Sequence, residues 1–526
     1  MPPSPRRSNQ YESASNPSIG CHHAPPTAYQ RSLAAEVASA IGPVVLALLA
    51  PATSATAGDA ARFDFPNGRV PGQGDRVVVE LKVVGHGVES GAAGESVKTG
   101  EPGGPAPASD DRVDMRVAAQ LEYDEWTLAV PDQPGVITRS MRHYHRAEGV
   151  LKLGEDGLRP KLRDDRKTVI AQIAPPGTAT EHITLFSPEG PLTREELELL
   201  RVLGNSLLLD DLAPEGSAAV GDRWAVDERV LARLLDLDTV GHAEVRAELV
   251  EITDGAARFQ MTGTVDGAVH GAATEVRLKA KFRFNRQRNR IDWFAMVVKE
   301  RRKASPVGVG LDVTAQVIVQ IQPDDDLPTL SASEIEQMNV APEPTLTQLE
   351  YTPNDGDWQL VHDRRWYVVR DEHDLVVLRM VDRGDFLAQC KLAPLPRVPR
   401  EKLPTLDEFK RDVAQQLSGQ STQIATADQW GSDRDYRVFR VVAVGEIGQD
   451  DRRPDSAKDN PDTAGKAASR DSDTIPVQWR YYLVTDAEGH RAVFAFTLED
   501  KYTPQFGQAD GELVAGLRFE KEKGDE

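Results

Sequence analysis

His143 and His145 flank Tyr144 in a stretch that alternates like a strand. On a strand, residues i and i+2 share a face, so both imidazoles can meet one metal ion, with Glu148 or His182 as third ligand. A zinc site needs three or four such groups, and the spacing fixes only the pair. A polar strand face is the simpler expectation. Nucleophiles are weaker candidates. Ser206 follows Gly204-Asn205 and Ser217 follows Gly216, and neither stands in a G-x-S-x-G elbow. Cys390 lies in the apolar run 386–392, where a free thiol is inert core. Glu195, Glu196 and Glu198 crowd a helix start, where carboxylates favour the helix dipole without acid–base work.

Other binding motifs are lacking. Asp324-Asp325-Asp326 does not have the D-x-D-x-D-G spacing that wraps ligands around calcium, and it reads as a solvated charge run. No phosphate loop or dinucleotide fingerprint occurs; Gly308-Val309-Gly310 is a turn. The sequence assigns no catalytic residue, no metal and no cofactor.

A basic row is the candidate binding feature. Arg277, Lys279, Lys281 and Arg283 alternate with Val276, Leu278, Ala280, Phe282 and Phe284, and Arg286, Arg288 and Arg290 follow in the turn. The chain has a formal net charge of −21, so the row is a local reversal of sign. An anionic envelope polymer, a lipid headgroup or an acidic protein is the partner such a row would take. A solvated face paired across strands with Glu244, Glu248 and Glu251 is the plainer expectation. The overall acidity argues against nucleic acid.

Strands must carry that row. Residues 273–321 read as three antiparallel strands, preceded by strands at 244–249 and 259–265 with Asp254-Gly255 and Asp266-Gly267 turns. Further strands are predicted at 77–83, 113–130, 136–153, 167–173 and 182–186. Thr193 with Glu196 three residues on makes a capping box for a helix that carries the leucines 197–209, and a second short helix is expected over 226–237. The C-terminal part predicts strands at 358–361, 366–369, 375–381, 386–392, 436–444, 477–484 and 491–498. Its helix, capped by Thr405 and Glu408, places Phe409, Val413 and Leu417 on one side, and a closing helix spans 510–519.

The expected fold is α+β. It has a large curved antiparallel N-terminal sheet with two packed helices and a smaller antiparallel C-terminal sheet with helices. At 526 residues two domains are expected. The divisions are an export segment with an extension (1–57), a β-rich domain (58–322) with a disordered loop at 86–111, a Pro-rich linker (323–357), an α+β domain (358–519) with a disordered loop at 448–474, and a charged tail (520–526). The export reading rests on the apolar run 41–50 and on Ala55-Thr56-Ala57, an A-x-A cleavage signature. Cleavage there removes Cys21 and leaves Cys390 unpaired, with no transmembrane span and a periplasmic or secreted location.

The C-terminal order resembles the Mog1/PsbP-like fold through Trp358, Trp366-Tyr367-Val368-Val369, the helix 405–417, the hairpin from Trp479 to Phe496 and the closing element. The whole chain resembles exported proteins of planctomycete-type bacteria in Phe186-Ser187-Pro188-Glu189-Gly190-Pro191-Leu192, Val220-Gly221-Asp222-Arg223-Trp224 and Gly271-Ala272-Ala273-Thr274-Glu275-Val276. That likeness implies a compartment and no activity. The functional expectation is an exported, non-catalytic binding or interaction protein of the bacterial cell envelope. A carrier of a lipid or other apolar molecule and a hydrolase with a non-local active site are the alternatives.

Overall fold

The computed structural model describes residues 61–520 except 67, 89–111, 130–137, 175–182, 325–337, 339, 354–356, 419–421, 433 and 449–473. The expected export segment with Cys21, the bulk of both expected disordered loops, Asp325, Asp326, His182 and residues 521–526 lie outside the described residues.

The first half contains β1 (Phe63–Asp64), β2 (Gly74–Val88), β3 (Arg112–Leu128), β4 (Arg139–Leu153), β5 (Asp156–Leu158), β6 (Thr168–Ile173), β7 (Ile183–Phe186), β8 (Leu192–Thr193), α1 (Arg194–Leu200), a 3₁₀ segment (Ser206–Leu212), β9 (Ser217–Ala218), β10 (Arg223–Ala225) and α2 (Glu228–Leu235). The meander follows: β11 (Thr239–Ile252), β12 (Ala256–Val269), β13 (Ala272–Asn285), β14 (Arg290–Arg302) and β15 (Gly310–Pro323). The second half comprises α3 (Pro344–Thr347), β16 (Leu349–Tyr351), β17 (Trp358–His362), β18 (Trp366–Glu372), β19 (Leu375–Asp382), β20 (Asp385–Leu395), α4 (Leu406–Gln416), β21 (Thr422–Gly431), β22 (Arg437–Gly448), β23 (Thr474–Thr485), β24 (Arg491–Glu499), α5 (Thr503–Phe506), α6 (Ala509–Ala515) and β25 (Leu517–Phe519).

Sequence alternation is expressed directly as burial. Along β13 every second residue from Ala272 to Phe284 is buried and those between are exposed. A 12-stranded sheet runs β10-β11-β12-β13-β14-β15-β2-β3-β4-β6-β7, with β5 on β4. Its inner face folds around the leucines of residues 197–237: Leu249, Phe282, Val317, Leu81 and Val169 share one core with Leu200, Leu208 and Leu234. The capping box at Thr193 and Glu196 is present. The helix it opens stops at Leu200. Gly204 has φ +73°, and a Cβ there would lie 3.0 Å from the Phe294 ring, so the chain turns beneath that ring and resumes as the 3₁₀ segment.

The second sheet is seven-stranded, β18-β19-β20-β24-β23-β22-β21. These two sheets correct the α+β expectation, including its Mog1/PsbP-like C-terminal part: the described residues are mostly β, and the longest helix among them, α4, has 11 residues. β21 is the element whose sequence hides it. It is an edge strand with few buried side chains, so apolar alternation is missing there. The stretch read as linker also contains a strand. β16 pairs with β17 and, in parallel, with β8, giving a four-stranded sheet β25-β17-β16-β8 that joins the two halves.

Candidate functional site

Polar chemistry concentrates inside the first sheet, not on its surface. Asp75 begins β2 and Glu125 lies near the end of β3; both occupy the inward phase set by Val77, Val79 and Leu81 and by Val117, Ala119, Leu121 and Tyr123. They stand directly opposite one another across the ladder. Arg142 from β4, Arg290 from β14, Arg69 from the entry segment and Asp210 from the 3₁₀ segment complete a buried set of three guanidiniums and three carboxylates, all 8% exposed or less.

Glu125 is heavily partnered. Its Oε1 accepts from Arg142 Nε at 2.9 Å, Ser140 Oγ at 2.9 Å and Ser206 Oγ at 2.8 Å, and Arg69 Nη1 lies 3.6 Å from Oε2. Burial alone would raise its pKa, but the two guanidiniums and two hydroxyls outweigh that and hold it at about 2. Asp75 has the opposite fate. Arg290 Nη1 donates to Oδ2 at 2.5 Å, but Oδ1 has no hydrogen-bond partner among the described residues. Burial therefore dominates, and its carboxyl is raised to about 6.

The cluster pins the leucine-bearing 3₁₀ segment. Arg69 donates to Asp210 Oδ2 at 2.9 Å and to the Ser206 carbonyl at 2.8 Å, Arg142 donates to Asn205 Oδ1 at 2.6 Å, and Ile291 N donates to Asp210 Oδ1 at 2.7 Å. Leu207, Leu208, Leu209 and Leu212 thereby stay at 4% exposure or less, filling the inner face of the sheet. The Ser206 hydroxyl, donating to Glu125 Oε1 at 2.8 Å and lying 3.1 Å from Arg142 Nη2 and from Tyr123 Oη, is one more tie between the segment and the cluster.

The sequence-predicted candidates lie elsewhere. The His143 and His145 rings do share a face, 5.5 Å apart. His145 Nε2 is 2.8 Å from Asp124, which Arg76 also holds at 2.5 Å, and Glu148 pairs with Arg146. No group of three metal-ligating side chains occurs among the described residues. Cys390 is buried on β20, and burial pushes its thiol up. Glu196 caps α1 and pairs with Arg163 at 2.8 Å. Arg277, Lys279, Lys281 and Arg283 line the outer face of β13, with Lys299 opposite Arg277. Arg283 pairs with Asp292 at 2.7 Å. Glu248 and Glu251 lie two strands away and pair with Arg223 and Arg258 instead.

Sequence reading missed a groove on the second sheet. α4, capped by Thr405 and Glu408, lays Phe409 and Val413 over one end of a sheet face. The loop between β14 and β15 covers the other end, where Val307 packs on Tyr367, Val369, Val377 and Val381, and Arg379 donates to the Pro306 carbonyl at 2.6 Å. Between them runs a trough of about 660 Å³. Trp479, Tyr481, Val493, Ala495 and Phe386 provide its apolar lining, with Gln389, Lys391 and Thr497 among them. Phe386 is 39% exposed there.

No family model matches the chain, and no curated protein matches it. Solved structures that align with it include the outer membrane protein OprD from Pseudomonas aeruginosa, at 7% identity over 83% of this chain and 96% of that one, with a TM-score of 0.11. The translocator domain of autotransporter NalP from Neisseria meningitidis aligns at 8% identity over 81% and 87%, with a TM-score of 0.09. OccAB4 from Acinetobacter baumannii aligns at 8% identity over 82% and 98%, with a TM-score of 0.10. TM-scores this low do not establish a shared fold. These matches are to outer-membrane β-barrels, which cross the membrane with strands, and the expectation of no transmembrane span is withdrawn; no helix among the described residues is long and apolar enough to cross a membrane, and that says nothing of strands. The expected anionic-polymer, lipid-headgroup or acidic-protein partner receives no support from these matches.

Proposed function

We propose that this chain is a non-catalytic binding protein of the cell envelope, periplasmic or secreted, that takes an elongated apolar molecule in the trough beside α4. The observation that carries the reading is the trough itself. Its volume of about 660 Å³ falls in the range of small-molecule sites, and its floor of Trp479, Tyr481, Val493 and Ala495 suits the apolar body of such a ligand, with Gln389, Lys391, Asp412, Gln416, Arg491 and Thr497 as the polar part of the lining. The interior of the first sheet is a poor alternative seat, because its own leucines occupy it. The export signature at residues 41–57 supports the compartment.

The test uses delipidated full-length protein and the fluorescent probe N-phenyl-1-naphthylamine. Wild type is expected to enhance its emission saturably. Ala495→Trp, which fills the trough floor, is expected to weaken binding about tenfold or more at unchanged Tm. Lys281→Trp on the outer face of β13 serves as control. Equal binding by wild type and Ala495→Trp removes the trough as the site.

A further inference from the structure

A second cavity, of about 200 Å³, lies where the two halves meet. α1 contributes Glu195, β16 contributes Tyr351, the end of β17 contributes His362, and β18 contributes Trp366 and Tyr367. It is separate from the trough and shares none of its lining residues.

Two of these groups are acceptors with nothing to accept from. His362 is 3% exposed, and its Nδ1 lies 2.8 Å from the Asp363 carbonyl oxygen. A carbonyl only accepts, so the proton sits on Nδ1 and Nε2 keeps its lone pair. No protein donor reaches Nε2 among the described residues. Burial also holds the imidazole at about 4, so it stays neutral at pH 7. The Glu195 carboxylate likewise makes no hydrogen bond or ion pair among the described residues, although the neighbouring Glu350 is paired with Arg163 at 3.0 Å. Arg194 does not fill the gap. It lines the cavity too, but its Nη2 donates to the Arg364 and Trp366 carbonyls, its Nη1 faces Glu198 at 3.4 Å, its guanidinium stacks 4.2 Å from the Tyr367 ring centre, and its Nε has no hydrogen-bond partner among the described residues.

A carboxylate and an imidazole acceptor beside aromatic rings are what a protonated amine requires: charge, acceptors for its N–H bonds, and π faces for its carbon frame. We propose that this cavity binds a small primary ammonium ion, its N–H groups donating to Glu195 and to His362 Nε2 and its carbon frame lying against Tyr351 and Trp366. The volume limits the ligand to a small amine and makes it a different molecule from the trough's. The site also draws on both halves of the chain, so its occupancy is tied to their junction.

Calorimetric titration of the full chain with benzylammonium tests this, with benzyl alcohol and benzoate as neutral and anionic counterparts. Benzylammonium is expected to bind with a Kd of about 1 mM or below, and at least about tenfold more tightly than either counterpart. Glu195→Gln sits on the first turn of α1 and should fold normally; it is expected to weaken binding about tenfold. His362→Gln should weaken it too, and if that variant does not fold, Glu195→Gln decides alone. Ala495→Trp should leave amine binding unchanged, which separates this site from the trough. Absence of benzylammonium binding by folded wild type, equal binding of benzyl alcohol, or an unaffected Glu195→Gln overturns the proposal.

Discussion

Asp75 and Glu125 face each other across the β2–β3 ladder, both fully buried, and yet their protonation equilibria are displaced in opposite directions. Like charges set directly opposite on a sheet repel. The difference lies in the partners. Glu125 receives three donors on one oxygen and has two guanidiniums nearby, while Asp75 has a single donor from Arg290. One carboxylate therefore anchors the cluster, and the other is the site where a proton enters first as pH falls.

Glu125→Gln should be strongly destabilising. It keeps the shape but leaves Arg142 and Arg69 buried beside a neutral amide. Removing one partner of a buried ion pair costs about 3–5 kcal/mol. Urea denaturation at pH 7 is expected to show a loss of that size, with a matching fall in Tm. A loss below about 1 kcal/mol would mean that the cluster is solvated.

Asp75 sets a pH dependence that a comparison of wild type with Asp75→Asn isolates. Its folded pKa of about 6 lies above the ordinary carboxyl value of 3.8, so the folded state holds the proton more tightly. Its contribution is therefore fully present at low pH and is lost as pH rises through 6. The stability gap between wild type and Asp75→Asn should shift by about 2 kcal/mol in favour of the variant between pH 4 and pH 7. Wild type alone shows less of this. His362, depressed from 6.5 to about 4, loses stability as pH falls over much of the same interval. A gap that does not move with pH refutes the assignment to Asp75.

Gly204→Ala probes the turn between α1 and the 3₁₀ segment. The residue has φ +73°, and the new Cβ would meet the Phe294 ring at 3.0 Å. Both effects oppose the substitution, by about 1–3 kcal/mol together. Thermal unfolding measures this; a neutral Gly204→Ala would show that the turn relaxes freely.

The sheets were readable because burial follows phase. The meander, the capping boxes at Thr193 and Thr405 and the apolar stripe Phe409, Val413 and Leu417 all declare themselves within a few residues. The buried cluster also left a signal: Asp75 and Glu125 are charged residues in the apolar phase of their strands. What no local pattern reveals is their union with Arg69, Asp210 and Arg290, which come from distant segments; Arg290 lies 215 positions from Asp75. The trough was hidden for a related reason. Its floor alternates as any strand does, and only the placement of α4 and of the Val307 loop at opposite ends of the sheet leaves the middle open.

Lys281 and Phe282 are adjacent in sequence and should respond as if they belonged to different molecules. Phe282 is 1% exposed and stacks on Phe259 with ring centres 4.9 Å apart, while Lys281 points outward from the opposite face and makes no ion pair among the described residues. Phe282→Ala removes a buried ring and leaves a cavity that the β-ladders on either side cannot collapse, a cost of about 3–5 kcal/mol. Lys281→Ala removes a solvated side chain and should change stability by no more than about 0.5 kcal/mol. Both are read from denaturant midpoints at constant m-value. If the two substitutions cost the same, the strict inward–outward register of β13, on which the core and the outer basic row both depend, is not the register in solution.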